Sequence, residues 1–161
     1  MESSILTGAW ALKSFDLFLA SAPNDDPIYQ PLGENPVGRI LFTENYMACT
    51  LTSRIASEPI ESATWQQAND NEVLNAARIL TTYSGPFKLY TKGKEDFLET
   101  QVEIALDPNW IGKPQVRRWE VISNNKLILK PVQEFSLPDG TKTVGVLVWE
   151  KVDTKKISSN L

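Results

Sequence analysis

No histidine occurs among the 161 residues, and cysteine occurs once, at Cys49. The first absence removes the Ser-His-Asp and Cys-His nucleophile systems, the two-histidine zinc site of metalloproteases and the usual side chain that titrates near neutrality. A catalyst built on this chain must therefore use carboxylates, Arg, Lys, Tyr or Asn. A single cysteine cannot form an internal disulfide, so nothing demands an oxidising compartment, and Cys49 reads as a small buried apolar residue in a strand. There is no glycine-rich phosphate loop of the dinucleotide-binding or P-loop type, and no Cys/Asp/Glu cluster with metal-ligand spacing, so the expectation is a protein without cofactor or metal. A Lys/Arg-rich stripe is also missing and the formal net charge is -4, which argues against nucleic acid because phosphate-backbone binding needs clustered cations. No apolar run approaches the roughly 20 residues of a membrane-spanning helix. Met1-Glu2-Ser3-Ser4 lacks the basic start and apolar core of a signal peptide, so the expected location is cytoplasmic.

What is present is ordinary globular composition, 42% hydrophobic and 22% charged without long charge runs, enough for one domain over residues 1–161. Apolar, β-branched and aromatic residues cluster between turn residues about eight times, each cluster a strand signal. The first strand covers Gly8 to Leu19. A loop rich in Pro, Asn and Asp follows, Ser21 to Pro36, placed over a barrel mouth. Gly38 to Phe42 and Tyr46 to Thr52 form a hairpin across Thr43-Glu44-Asn45. From Ser62 to Leu80 the period changes: Trp65, Ala68, Val73, Ala76, Ala77 and Leu80 recur at three- and four-residue steps, which predicts one helix that closes a barrel end or packs outside it. Its polar face carries Gln66, Asn69, Asp70 and Glu72 rather than Lys and Arg, so it is not a membrane-surface helix. Strands resume at Thr81 to Tyr90, Phe97 to Leu106, Gln115 to Ile122, Lys126 to Lys130 and Thr143 to Lys151. The breaks fall at Lys92-Gly93-Lys94, Pro108-Asn109, Asn124-Asn125 and Pro138-Asp139-Gly140. The predicted fold is mostly β: a single antiparallel barrel of about eight strands with one helix between the third and fourth, closure removing the exposed edges.

Gly8-Ala9-Trp10 resembles the G-x-W motif of lipocalins, whose Trp plugs one barrel end. More specific, in this order, are Pro31-Leu32-Gly33-Glu34-Asn35-Pro36-Val37-Gly38, Tyr83-Ser84-Gly85, Pro108-Asn109-Trp110-Ile111-Gly112 and Gln115-Val116-Arg117-Arg118-Trp119-Glu120. Together they resemble the small lipocalin-like domain family of bacteria and fungi over nearly the whole chain. Many members have no known activity. Some fungal relatives are cofactor-free isomerases or cyclases of natural-product pathways, one type directing a semipinacol rearrangement in indole-alkaloid assembly. In that type an Arg early in the second strand and a Glu late in the chain form the acid/base pair, and Arg39 and Glu134 stand at comparable places. Around Trp110 the chain offers Asn109 and Lys113 where that type carries tyrosines. The resemblance also makes a homodimer plausible.

Alternation puts Arg39, Leu41 and Thr43 on one face of the second strand and Gly38, Ile40 and Phe42 on the other, without saying which is inward. An inward Arg39 must be paired or must serve a ligand, since an unpaired buried charge is costly. Glu134, near the Pro138-Asp139-Gly140 turn, would suit proton transfer if partly desolvated. In the strand Phe97 to Leu106, the usual reading turns Glu99, Gln101 and Glu103 to water. If that face is inward, Glu103 pairs with Arg117 and lines the cavity. Arg117 and Arg118 have opposite phases, so one faces inside, with stacking on Trp10 as its task. Trp110, Trp119, Tyr46 and Tyr83 are candidates for an aromatic wall around a flat ligand. The leading expectation is a cofactor-independent isomerase or cyclase acting on a small apolar or polycyclic intermediate, with Arg39 and Glu134 catalytic and Trp110, Tyr83, Glu103, Trp119 and Tyr46 binding substrate. The alternatives are a non-catalytic carrier of a hydrophobic small molecule and an epoxide hydrolase-like activity using Glu103 and Glu134.

Overall fold

Exposure alternates residue by residue along the strands, which decides inside from outside. In Tyr46–Thr52 the side chains of Met47, Cys49 and Leu51 are buried while Ala48 and Thr50 are exposed, the period-2 signature of a sheet with one wet face. The computed structural model describes residues 3–123 and 125–153. Of the residues discussed above, Met1, Glu2 and Asn124 lie outside these. The strands are β1 Gly8–Leu19, β2 Val37–Phe42, β3 Tyr46–Thr52, β4 Thr81–Lys92, β5 Glu95–Gln101, β6 Ile104–Ala105, β7 Pro114–Ser123, β8 Lys126–Pro131, β9 Phe135–Ser136 and β10 Lys142–Lys151. Neighbours run β1-β2-β3-β4-β5-β7-β8-β10, and β10 pairs back with β1, so eight antiparallel strands close into a barrel. The short β6 and β9 are annexes, on β4 and β10.

The helix α2, Asp70–Ile79, lies between β3 and β4 as expected but starts later than the periodicity from Ser62 implied. Asn69 ends the helix backwards with a capping box, accepting from Glu72 N at 3.1 Å while its own N–H donates to Glu72 at 2.9 Å. The same carboxylate accepts from Ser62 N and Oγ at 2.9 and 2.7 Å, tying residues 62–69 into a loop that includes one 3-10 turn, Trp65–Gln67. These hydrogen bonds, Ser62 foremost, hold the Glu72 carboxyl below its ordinary value. No residue of α2 is buried; Ile79 is its contact with the core. No helix among the described residues is long and apolar enough to cross a membrane.

A second difference concerns the strand read over Phe97 to Leu106. It breaks after Gln101, and Ile104–Ala105 turns back onto β4 through Tyr83↔Ala105 and Ser84↔Ile104. Gly85 is the cause: a Cβ there would overlap the Gln101 carbonyl oxygen, so the absent side chain lets the Gln101 backbone cross close over β4.

The two ends of the barrel differ. At one, the connections are tight turns, and Trp10, wholly buried, fills the interior. Its indole N–H donates to Leu6 O at 2.7 Å, from the four-residue helix α1, Ser3–Leu6. Lys151 Nζ sits 4.8 Å above the Trp10 ring and donates to Thr7 O at 2.7 Å, so the cation stacked on this plug is Lys151, not Arg117 or Arg118 as anticipated. At the other end emerge the long connections 20–36, 53–80, 102–113 and 132–141. The first caps this mouth as expected: Leu32 is buried in the core and Tyr29 bridges to Leu17.

Gly85→Ala should cost about 2–3 kcal/mol, the range of forced overpacking, measured by urea unfolding. Gly33→Ala, where no atom lies within 4 Å, should cost about 1 kcal/mol, for its left-handed φ alone. Equal losses at both sites would show that the crossing at Gly85 is not tight.

Candidate binding cavity

Packing is dense around the Trp10 plug and opens towards the long-loop end, where a cavity of about 150 Å³ remains inside the barrel. Its floor is Trp149, Leu147 and Ile40; Cys49, Leu51 and Tyr83 form one side. Each sits on an inward position of its strand, and the space exists partly because Cys49 is small. Two loops supply the rim. A 3-10 turn, Pro108–Trp110, begins where the Asp107 carboxylate accepts from Asn109 N at 2.9 Å, and it presents Trp110 edge-on to Tyr83 with ring centroids 5.3 Å apart. Opposite, β9 brings Phe135 over the mouth against Phe15, centroids 6.0 Å apart. Phe135 fits there because Gly145 has no Cβ; one would lie 2.9 Å from its ring.

One charge enters this apolar space. Arg117 pairs across β7 with Leu98 on β5 and Pro131 on β8, both inward residues, and lines the cavity. Its Cζ lies 5.9 Å from the Tyr83 ring centroid. Nη1 donates to Val116 O at 3.1 Å and to Gln115 Oε1 at 3.5 Å. Arg118, one residue on, faces out, where Nε meets Glu95 at 2.8 Å and the guanidinium covers Phe97.

Burial, set against the Arg117 charge, pushes the Tyr83 hydroxyl from 10.0 up to about 12. Burial likewise pushes the Cys49 thiol from 9.0 up to about 12, with Arg117 again opposing. Arginine stays protonated throughout. Among the described residues the cavity wall therefore carries one fixed cation and neutral donors, and no carboxylate.

The residues read from the sequence divide accordingly. Tyr83 and Trp110 lie on the cavity wall. Trp119 faces inward against the core with its indole N–H buried and without a partner among the described residues, but off the cavity. Arg39 is exposed on the outer face of β2 and folds onto its own strand, Nη1 donating to Gly38 O at 2.7 Å. The inward neighbour is Gly38, whose missing side chain accommodates Leu12 and Leu51. Glu134 is exposed beside Phe135 and does not line the cavity, so the expected Arg39–Glu134 pair is not assembled there. Tyr46 and Glu103 also sit on the outer surface, bonded to each other through Tyr46 Oη at 2.8 Å. Glu103 cannot pair with Arg117 because Leu98 and Thr100 of β5, and Val102 just beyond its end, are the buried, inward residues. Sequence reading raised Arg117 only as a partner for Glu103 or a cation over Trp10, not as a site residue, and it passed over Trp149. The adjacent Arg117-Arg118 pair was the signal for the first; Trp149 ends a strand apolar on both faces, where phase leaves no mark.

A family model described as a lipocalin-like domain matches residues 7–152. No curated protein matches the chain. Among solved structures, a redesigned β-barrel aligns over 94% of this chain and 95% of its own at 11% identity, with a TM-score of 0.38.

Because the folded chain keeps protons on Cys49 and Tyr83 that the unfolded chain releases near pH 9.0 and 10.0, the unfolded state binds fewer protons in alkali. Stability should fall as pH rises from about 9 towards about 12. Thermal melts at about pH 8 and about pH 10 should show this loss, and Cys49→Ala should make it shallower. An unchanged pH dependence in the variant would mean the thiol ionises freely.

Proposed function

The chain belongs to the lipocalin-like domain family, and from that premise we propose that it is a binding barrel that takes up one small, largely apolar molecule at its long-loop end. The observation that carries this reading is the 150 Å³ cavity behind Trp110 and Phe135, mostly apolar and aromatic, with Thr81 and the single charge of Arg117 as its exceptions. A space of about that size accommodates a single six-membered ring, whereas pockets for drug-sized ligands run to roughly 300 Å³ and more. A monocyclic or short branched molecule fits it better than a polycyclic intermediate.

The carrier reading is favoured over a cofactor-free isomerase or cyclase by the chemistry of the wall. Proton transfer near neutrality needs a group that titrates there. The Cys49 and Tyr83 protons leave only near 12, and Arg39 and Glu134 lie off the wall. Epoxide hydrolysis asks for convergent carboxylates, and neither Glu103 nor Glu134 lines the cavity.

Benzyl alcohol, as a neutral single-ring probe, should bind once, quench Trp fluorescence through Trp110 and Trp149, and raise Tm by about 2–4 °C per kcal/mol of binding. Cys49→Phe, which fills the cavity, should abolish the effect while the barrel still melts cooperatively. Failure of the wild-type protein to bind the probe at millimolar concentration would overturn the proposal.

A further inference from the structure

The cavity is hydrophobic by area but one-sided in its polar chemistry, and that asymmetry specifies a ligand. Among the described residues Arg117 makes no ion pair, although Arg118 beside it is paired at 2.8 Å with Glu95. Nη1 donates to Val116 O and, at 3.5 Å, to Gln115, and the guanidinium also hydrogen-bonds the Tyr83 hydroxyl; with five N–H donors in a rigid fork it has more to offer than these neutral acceptors take up. A charge held at an apolar wall without a counter-charge is costly unless something supplies one.

Two further donors stand on the same wall. Trp149, 1% exposed, keeps its indole N–H buried with no partner among the described residues, where nearly all buried polar groups find one. Tyr83, 6% exposed, is held neutral next to Arg117. Acceptors of matching strength are missing among the described residues, of which no Asp or Glu lines the space.

We propose that the barrel's ligand is a small carboxylate, aromatic or branched aliphatic, whose anionic head meets Arg117 and whose apolar body fills the cavity against Trp110, Tyr83 and Leu147. The assignment rests on the binding-barrel reading and narrows it. A planar carboxylate matches the guanidinium fork with two parallel hydrogen bonds. A phosphate monoester would bring nearly two charges to a site with one cation, and about 150 Å³ leaves little room beside a ring for its tetrahedral head.

Calorimetric titration with benzoate, isosteric neutral benzamide and phenyl phosphate tests this. Benzoate should bind about 30-fold tighter than benzamide, as charge-assisted hydrogen bonds imply. Arg117→Gln should bring the benzoate-to-benzamide affinity ratio close to one, and Arg117→Lys, which keeps the charge but not the fork, should retain part of the preference. Equal affinity for benzoate and benzamide would overturn the carboxylate assignment and leave the cavity reading standing. Binding of neither would overturn the cavity reading itself. Phenyl phosphate binding as tightly as benzoate would move the assignment to anions in general and so overturn the choice of carboxylate. If Arg117→Gln fails to fold, the Arg117→Lys titration and the wild-type benzoate-to-benzamide ratio decide the matter.

Discussion

Everything in this molecule follows from β1 being paired on both sides. Its first residues, Gly8 to Ala11, run against β2, while Trp10 to Leu19 run against β10 with one irregularity at Lys13. This shared strand turns a row of hairpins into a ring and leaves none of the eight long strands with a free edge. Once the ring is closed, each strand has one inner and one outer face, and the pleat assigns every side chain to one of them. The irregularity resets that phase, so both Leu12 and Phe15, an odd number of residues apart, face in.

Closure also makes the two ends unequal. The tight-turn end is filled by Trp10, anchored to Leu6 and covered by Lys151, and dense packing continues through Met47, Leu98 and Leu127. The other end must accommodate four long connections, and loops that cross a barrel mouth cannot reach the interior with the regularity of a strand. Leu32, Trp110 and Phe135 enter from those loops and cover the opening. The unfilled volume sits beneath them, bounded by Cys49, the smallest of the β3 inward residues.

The charged residues show which position is out of the ordinary. Lys88 pairs with Glu99 at 3.0 Å, Arg118 with Glu95 at 2.8 Å, and Arg39 lies against its own backbone; all are on the wet face and contribute little either way. Arg117 alone among these carries its charge inward. Natural sequences break the local rule of apolar-in, polar-out chiefly where function asks for it, and the same wall holds the Trp149 N–H, which has no partner among the described residues.

The strands, the single helix between the third and fourth, the G-x-W plug and the lipocalin-like family were legible in the sequence because each depends on local period, turn chemistry or a short motif. The helix start was misjudged because apolar spacing continued past the point where Asn69 and Glu72 close the capping box. Strand phase was harder. In Val37–Phe42 Gly38 occupies an inward position with no side chain and Leu41 an outward one, so hydrophobicity marks neither face and Arg39 read equally well both ways. In Phe97–Gln101 Phe97 is buried on the outer side beneath Tyr90 and Arg118, which blurs the pattern again. The sequence by itself therefore determined that a closed β-barrel forms, because period and turns act over a few residues. Only the tertiary structure decided that Arg117 faces in and Arg39 out, and that Tyr46 meets Glu103 outside the barrel. Those outcomes depend on register across strands and on which loops cap the mouth, quantities that no single strand carries in its own residues.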